Sequence, residues 1–337
     1  MNFKFFIPSI LHFLVDFFSI YVLLRFNLDL ENAAILAFLY DSIAFLLQPL
    51  LGAIFERIKH LKLLIDISAI LIIIALFIPE KYTAIIIVGS GNALFHVSAG
   101  KLLLDKAEAS SPLGVFISFG ALGVGLASTF SDFYLFNILL FIFIIMLLVN
   151  QTMPYEKITY DFEKNNVMKK TNLLPLILIV LSVLFRGFFG FYTNYSWTND
   201  VKYSVLIISI FVFLGKFLGG FILDKFKAIP LLVISLVLSI SGFIFMNNIY
   251  LALLGILGTN LLMAFTLDLV RKVMPRYRAF GFGLLAAFLT IGSFLAMYLK
   301  TNFPYMILIN FILVIINVIF LLIALLAYKK EKKQNDL

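Results

Sequence analysis

Two ionisable residues, His12 and Asp16, stand four apart inside the first long apolar run of the chain. On a helix, positions i and i+4 share one face. An imidazole beside a carboxylate is a proton site, because histidine changes charge near neutrality and a neighbouring anion favours its charged form. The other use of such a pair is structural, pinning one helix to its neighbours. Asp41 lies in the second apolar run, and Asn92 and His96 share a face of the fourth. Arg186 is near the middle of the seventh and has no acidic partner on its own run. It is either the counter-ion of Asp16 or Asp41, or the anchor for an anionic substrate. Asn260 lies within the tenth run. These residues divide into a candidate proton-coupling set, His12, Asp16, Asp41 and His96, and a candidate substrate-binding set, Asn92, His96, Arg186 and Asn260. Lys216, in the eighth run, has a stem long enough to snorkel to the cytoplasmic face.

The elements that hold these groups follow from composition. Hydrophobic residues make up 63% of the 337 residues and charged residues 13%, against about 25% charged in soluble domains. Mean hydropathy is +1.08. Apolar stretches of spanning length, about 20 residues, recur along the whole chain. In lipid the backbone must satisfy its own hydrogen bonds, and the alternation of barrel strands is absent, so the runs are helices. The expected fold class is an all-α integral membrane protein. Twelve spans are expected, at about 5–24, 33–55, 61–78, 83–104, 113–131, 133–149, 173–192, 203–223, 229–246, 249–270, 279–299 and 304–328. The first run carries His12 and Asp16 and no small-residue cleavage site, so no signal peptide is expected.

A repeat organises the spans. Gly52-x-x-x-Glu56-Arg57-x-Lys59 returns 168 residues later as Gly220-x-x-x-Asp224-Lys225-x-Lys227. Asn92 and Asn260 are separated by the same offset. A shared offset near half the chain length implies a duplication. The expected layout is a six-helix half over residues 1–150, a polar linker at 151–172, a second six-helix half over 173–330, and a solvated tail at 331–337. Ser110-Ser111-Pro112 is expected to start the fifth helix, with serine hydroxyls as caps and proline in the first turn. The fifth span then carries Gly114, Ser118, Gly120, Gly123, Gly125 and Ser128, small residues that let helices approach closely.

Loop charge orients the chain. Of 26 Lys and Arg residues, Arg186 and Lys216 lie within spans, and only Arg25, Lys81, Lys202 and Lys300 fall in one set of connections. All the others fall in the opposite set, which includes both ends of the chain. By the positive-inside rule both termini are cytoplasmic. The expected location is the plasma membrane, as a multi-pass protein. The basic residues occupy short loops, so the net charge of +8 does not indicate nucleic acid.

The doubled loop motif, the twelve spans and the six-plus-six repeat resemble the major facilitator superfamily over the whole chain. Gly52, Glu56 and Arg57, and Gly220, Asp224 and Lys225, match its loop motif. The motif's second glycine is replaced by Lys59 and Lys227, and the first copy has Glu where Asp is usual. His12-Phe-Leu-Val-Asp16, Gly91-Asn-Ala-Leu-Phe-His96 and Arg186 resemble the fosmidomycin-resistance-type permeases and small bacterial transporters of the superfamily. Helix five lacks the Gly-Pro pair of proton-driven drug exporters, which argues against drug efflux. The resemblance implies a secondary transporter that moves a small organic solute by alternating access. Gating is expected at Gly52, Glu56, Arg57, Gly220, Asp224 and Lys225, with Glu56 and Asp224 capping helices of the opposite half. The expected partners are a small organic substrate, with an anion as one class, together with protons and the lipid bilayer; a monomer is expected.

Two other classes compete. A membrane-embedded enzyme needs a nucleophile–base pair or a metal-binding carboxylate cluster, and no paired acidic motif or H-E-x-x-H occurs. A non-transporting sensor or scaffold would dispense with intramembrane charge, which is present here. No enzyme activity, no cofactor and no metal site is expected, and the chain has no cysteine to supply thiolate ligands. The topology has a direct test. Single cysteines placed at 193–200 should react with an impermeant thiol reagent from outside intact cells, and cysteines in the 151–172 linker should not. Labelling of the linker from outside would reverse the orientation.

Overall fold

A computed structural model describes residues 6–26, 29–130, 133–152, 173–193, 195–299 and 306–335. The described residues form helices and connecting turns, with no strand. In chain order the helices are α1 (Phe6–Leu24), α2 (Leu30–Phe55), α3 (Leu61–Ala75), α4 (Lys81–Lys106), α5 (Ser111–Thr129), α6 (Phe133–Thr152), α7 (Leu173–Tyr192), α8 (Ser204–Phe226), α9 (Ala228–Ile244), α10 (Ile249–Val273), α11 (Arg278–Leu299) and α12 (Met306–Asn335). Ten are long and apolar enough to cross a membrane. The other two fall short: α3 has 15 residues and α9 has 17. At about 1.5 Å per residue they reach less than the roughly 30 Å hydrocarbon thickness.

Several ends have local causes. α3 stops three residues before its expected limit because Pro79 follows and the Arg25 guanidinium takes the carbonyls of Leu76 and Ile78. A cation on the last carbonyls ends a helix favourably. α12 runs to Asn335, so the expected solvated tail is largely helical. Lys and Glu are good helix formers, and lysines in the last turn suit the negative end of the helix dipole. α2 is interrupted at Ser42–Leu46 by a turn of π-helix. Pro49 has no N–H to give the Phe45 carbonyl, and the Gln48 side-chain amide donates instead to Ala44 O at 2.8 Å. α10 is broken in the same region of its own length. There the Asn260 amide donates to Ile256 O at 2.8 Å and competes with the backbone ladder. The expected linker at 151–172 lies outside the described residues apart from its first two.

Packing repeats at an offset of six helices. α1 packs on α5 as α7 packs on α11, and α3 on α4 as α9 on α10. Two broad contacts join the two sets, α2 with α11 and α5 with α8. Gly114 and Gly125 of α5 face α8, whereas Gly120 and Gly123 face α1.

The turn after α8 holds an unfavourable backbone. Lys227 has φ 67° and ψ −173°, a region that only glycine enters without strain. It is the position at which the resembled loop motif carries its second glycine. Lys227→Gly should therefore stabilise the protein by about 1–2 kcal/mol. A thermal melt in detergent that fails to rise would show that the strain is compensated.

Candidate functional site

A cavity of about 280 Å³ lies where the two sets of helices meet. It is lined from α1, α2, α4, α5, α7, α8, α10 and α11. His12 and Asp16, Asp41, His96, Arg186 and Lys216 all reach it. Five of these six groups stand in the two candidate sets read from the sequence. Lys216, expected to reach the cytoplasmic face, instead lines the cavity. Beside it on the same helix, Gly215 and Gly219 are set closely against Leu257 and Leu261 of α10.

His12, Asp16 and His96 form the most constrained part of the wall. His12 Nε2 lies 2.9 Å from His96 Nε2 and 3.2 Å from Asp16 Oδ2, and His96 Nε2 lies 3.7 Å from Asp16 Oδ1. The other ring nitrogens are held by carbonyls: His12 Nδ1 at 2.8 Å from Phe116 O, and His96 Nδ1 at 3.0 Å from Asn92 O. A carbonyl only accepts, so both Nδ1 atoms carry hydrogen, an assignment made from these partners. Each neutral ring then presents a lone pair at Nε2. Two lone pairs facing at hydrogen-bond distance repel unless a positive charge sits between them. Phe45, Phe95 and Phe116 surround the rings, so little water competes for that place.

Asn92 supports this group from behind. Its Nδ2 donates to Asp16 Oδ1 at 3.0 Å and to Ser19 Oγ at 3.2 Å. It is fully buried and absent from the cavity lining, so its contact is with Asp16 rather than with open space. Gly120 faces the pair from α5. A Cβ there would lie 2.4 Å from Asp16 Oδ2 and 2.5 Å from His12 Nε2. The glycine thus keeps open the approach to both atoms.

Across the cavity, Arg186 Nη2 donates to Thr266 Oγ1 at 3.1 Å. Its Nε and Nη1 are buried without a partner, and no carboxylate pairs with it among the described residues. Asn260 is not brought to this cavity. It lines a separate one of about 240 Å³ with Thr193, Thr198 and Thr259. Linear spacing revealed Arg186 and the His12–Asp16 pair. It did not reveal Lys216, Thr266 or Gly120 as their neighbours, nor that His96 closes a three-residue donor set.

The paired loop motifs form two related contacts at one end of the molecule. Glu56 Oε1 accepts from Phe280 N at 2.9 Å, in the first turn of α11. Asp224 Oδ1 and Oδ2 accept from Ser110 N and Ser111 N, each at 2.8 Å, at the start of α5. The free N–H groups and positive dipole end of a helix favour an anion there. The serine hydroxyls expected to cap α5 make no cap bond; a carboxylate from another helix is the stronger acceptor. The glycines permit the approach. A Cβ on Gly52 would lie 2.6 Å from Ala279 O, and one on Gly220 2.7 Å from Ser110 O. Lys101, 3.5 Å from Glu56 and 2.9 Å from Asp105, supplies the cation. Arg57 and Lys225, expected to take part, are exposed. Burial raises the Glu56 carboxyl above its ordinary value, opposed by the Phe280 N–H and by Lys101.

No protein-family model and no curated protein matches the sequence. Solved structures do match in fold. One is a major facilitator superfamily transporter, FucP, in the outward conformation, at TM-score 0.66 and 13% identity over 95% of this chain and 98% of that one. Another is a variant of the E. coli fucose:proton symporter FucP, at TM-score 0.62 and 12% identity over 96% and 98%. A third is a bacterial homologue of the iron transporter ferroportin in its outward-facing state, at TM-score 0.61 and 14% identity over 97% and 98%. The chain has the fold of the major facilitator superfamily transporters.

The two end contacts differ in expected strength. Glu56 is 9% exposed, and a partly buried contact of this kind is worth about 1–2 kcal/mol. Asp224 is exposed, so solvent screens its contact. Glu56→Gln should shift a balanced two-state equilibrium by about tenfold, and Asp224→Asn by less. Electron–electron resonance between spin labels on the two rims would report this as longer distances. Unchanged distributions in both variants would show that the two end contacts do not set the spacing of the rims.

Proposed function

We propose that this protein is a secondary transporter, with no enzyme activity, that moves a small organic anion through the central cavity by alternating access. The observation that carries the reading is Arg186, whose buried Nε and Nη1 have no partner while the side chain faces a cavity of solute size. A buried guanidinium without a carboxylate is costly to keep. An anionic solute supplies the missing acceptor, and Lys216 lines the same cavity. Ligand sites of such transporters lie between repeated halves near the bilayer midplane.

Transport is coupled to protons through His12, Asp16 and His96. A proton between the two Nε2 atoms satisfies both lone pairs, and Asp16 compensates its charge. Asp41, beside the π turn of α2, is a further proton-carrying group. Asn92 contributes by holding Asp16, and Asn260 by placing the break in α10. The two halves, residues 1–150 and 173–330, rock about the cavity, joined by the 151–172 linker. Glu56 and Asp224 close the cytoplasmic side, with Gly52 and Gly220 permitting the contact and Arg57 and Lys225 at its edge. The arrangement described here is then the one closed to the cytoplasm. The protein acts as a monomer in the plasma membrane, with both termini cytoplasmic. The matching structures are of transporters, a fucose:proton symporter among them, which supports transport as the class.

The test begins with a thermal-shift screen of organic anions on the purified protein. The ligand found is then offered to proteoliposomes containing a trapped pH indicator. Ligand addition should move protons in the wild type and not in Asp16→Asn. Arg186→Ala should weaken binding by about tenfold or more, as expected for hydrogen bonds to a charged group. Proton movement retained in Asp16→Asn removes it from the coupling path. Affinity retained in Arg186→Ala removes that residue from the site.

A further inference from the structure

The geometry of His12, Asp16 and His96 points beyond a proton. Their ligating atoms converge within 4.8 Å of one another. Two ligands about 2.1 Å from one ion lie about 3.0 Å apart at a right angle and about 3.4 Å apart at the tetrahedral angle. The separations of 2.9 Å between the two Nε2 atoms and 3.2 Å from His12 Nε2 to Asp16 Oδ2 are of that size, while His96 Nε2 lies 3.7 Å from the other carboxylate oxygen, Oδ1, so a modest turn of the carboxylate completes the set. We propose that these three residues bind a divalent transition-metal cation in the place that the proton would take. The inference deepens the transport reading, because it names a second ligand class for the same cavity, yet binding is measurable without transport.

Four observations converge on it. The first is tautomeric: both rings give their Nδ1 hydrogen to a backbone carbonyl, Phe116 O or Asn92 O. Metal-binding histidines characteristically donate their other nitrogen to such an acceptor, which aims the lone pair at the metal. The second is the orienting amide of Asn92, which donates to Asp16 Oδ1 and leaves Oδ2 directed at His12. The third is the open approach over Gly120, where a side chain would collide with both Asp16 Oδ2 and His12 Nε2. Open positions are what a site needs if it is to load and release an ion. The fourth is burial: His12 is 4%, His96 7% and Asp16 9% exposed, so water is a weak competitor.

The donor set selects the ion. Two imidazoles and one carboxylate suit first-row transition metals and disfavour Mg²⁺ and Ca²⁺, which take oxygen ligands. The cavity also carries Asp41, Arg186 and Lys216. With Asp16, their formal charges cancel, so a bound dication makes the cavity net positive. An anion on the Arg186 side offsets that charge, which gives the two walls complementary roles.

The test uses the full-length chain in detergent, without a polyhistidine tag, titrated with Co²⁺ at constant pH. The expected result is one Co²⁺ per chain, with visible absorption bands of a nitrogen- and oxygen-coordinated ion and a raised melting temperature. Excess Mg²⁺ should not displace it. His12→Gln and His96→Gln should each lower affinity by at least about tenfold, and Gly120→Ala should lower it with all three ligands intact. His60→Gln, at the exposed third histidine, should change nothing. A wild-type chain without bands and without a melting shift overturns the proposal whatever the variants do. So does binding that survives in both histidine variants. A chain that moves an organic anion against a pH gradient but binds no Co²⁺ overturns this inference and leaves transport standing; one that binds Co²⁺ but moves no solute does the reverse.

Discussion

A polar atom buried in a bilayer has no water to fall back on, and the buried polar contacts of this protein answer that constraint. It forces the backbone into helices, since each N–H and C=O must be satisfied within its own segment. Where the ladder is interrupted or ends, a side chain supplies a partner: Gln48 at the π turn of α2 and Arg25 beyond the end of α3. Where helices begin, a carboxylate from elsewhere can take the free N–H groups. That is what Glu56 does for α11 and Asp224 for α5.

The last two contacts have a consequence for the whole molecule. They tie α2 to α11 and α8 to α5, the same two pairs that form the broad contacts between the two sets of helices. Each depends on a glycine at the crossing and an acid one turn later, so a short loop motif makes both the close approach and the polar contact. A few kcal/mol at these ends is of the size that separates conformational states of such proteins.

The cavity follows the same logic with groups of both signs in its lining. His12, Asp16 and His96 present lone pairs and negative charge, which call for a positive partner. Arg186 and Lys216 present donors, which call for a negative one. Neither side is fully satisfied by protein atoms alone. Such unmet demand is expensive inside a membrane, and a cavity that a ligand can enter is where it is tolerated.

Composition and periodicity by themselves determined the class of this protein, because a run of about 20 apolar residues has one stable form in lipid. The repeat at 168 residues made the two related loops legible, and the cost of intramembrane charge singled out His12, Asp16, Asp41, His96 and Arg186. All five reach one cavity, since a costly side chain is kept where it meets a partner or a space. Only the tertiary structure decided who those partners are. The ring tautomers of His12 and His96 depend on carbonyls of α5 and α4, and the role of Gly120 depends on the crossing of α5 with α1. Lys216 was read as a snorkelling lysine because its helix alone does not say which face is packed. Asn92 and Asn260, equivalent in the repeat, hold unlike places, one behind Asp16 and one at a helix break. A linear pattern records which residue types recur; the packing of other helices decides what each recurrence touches.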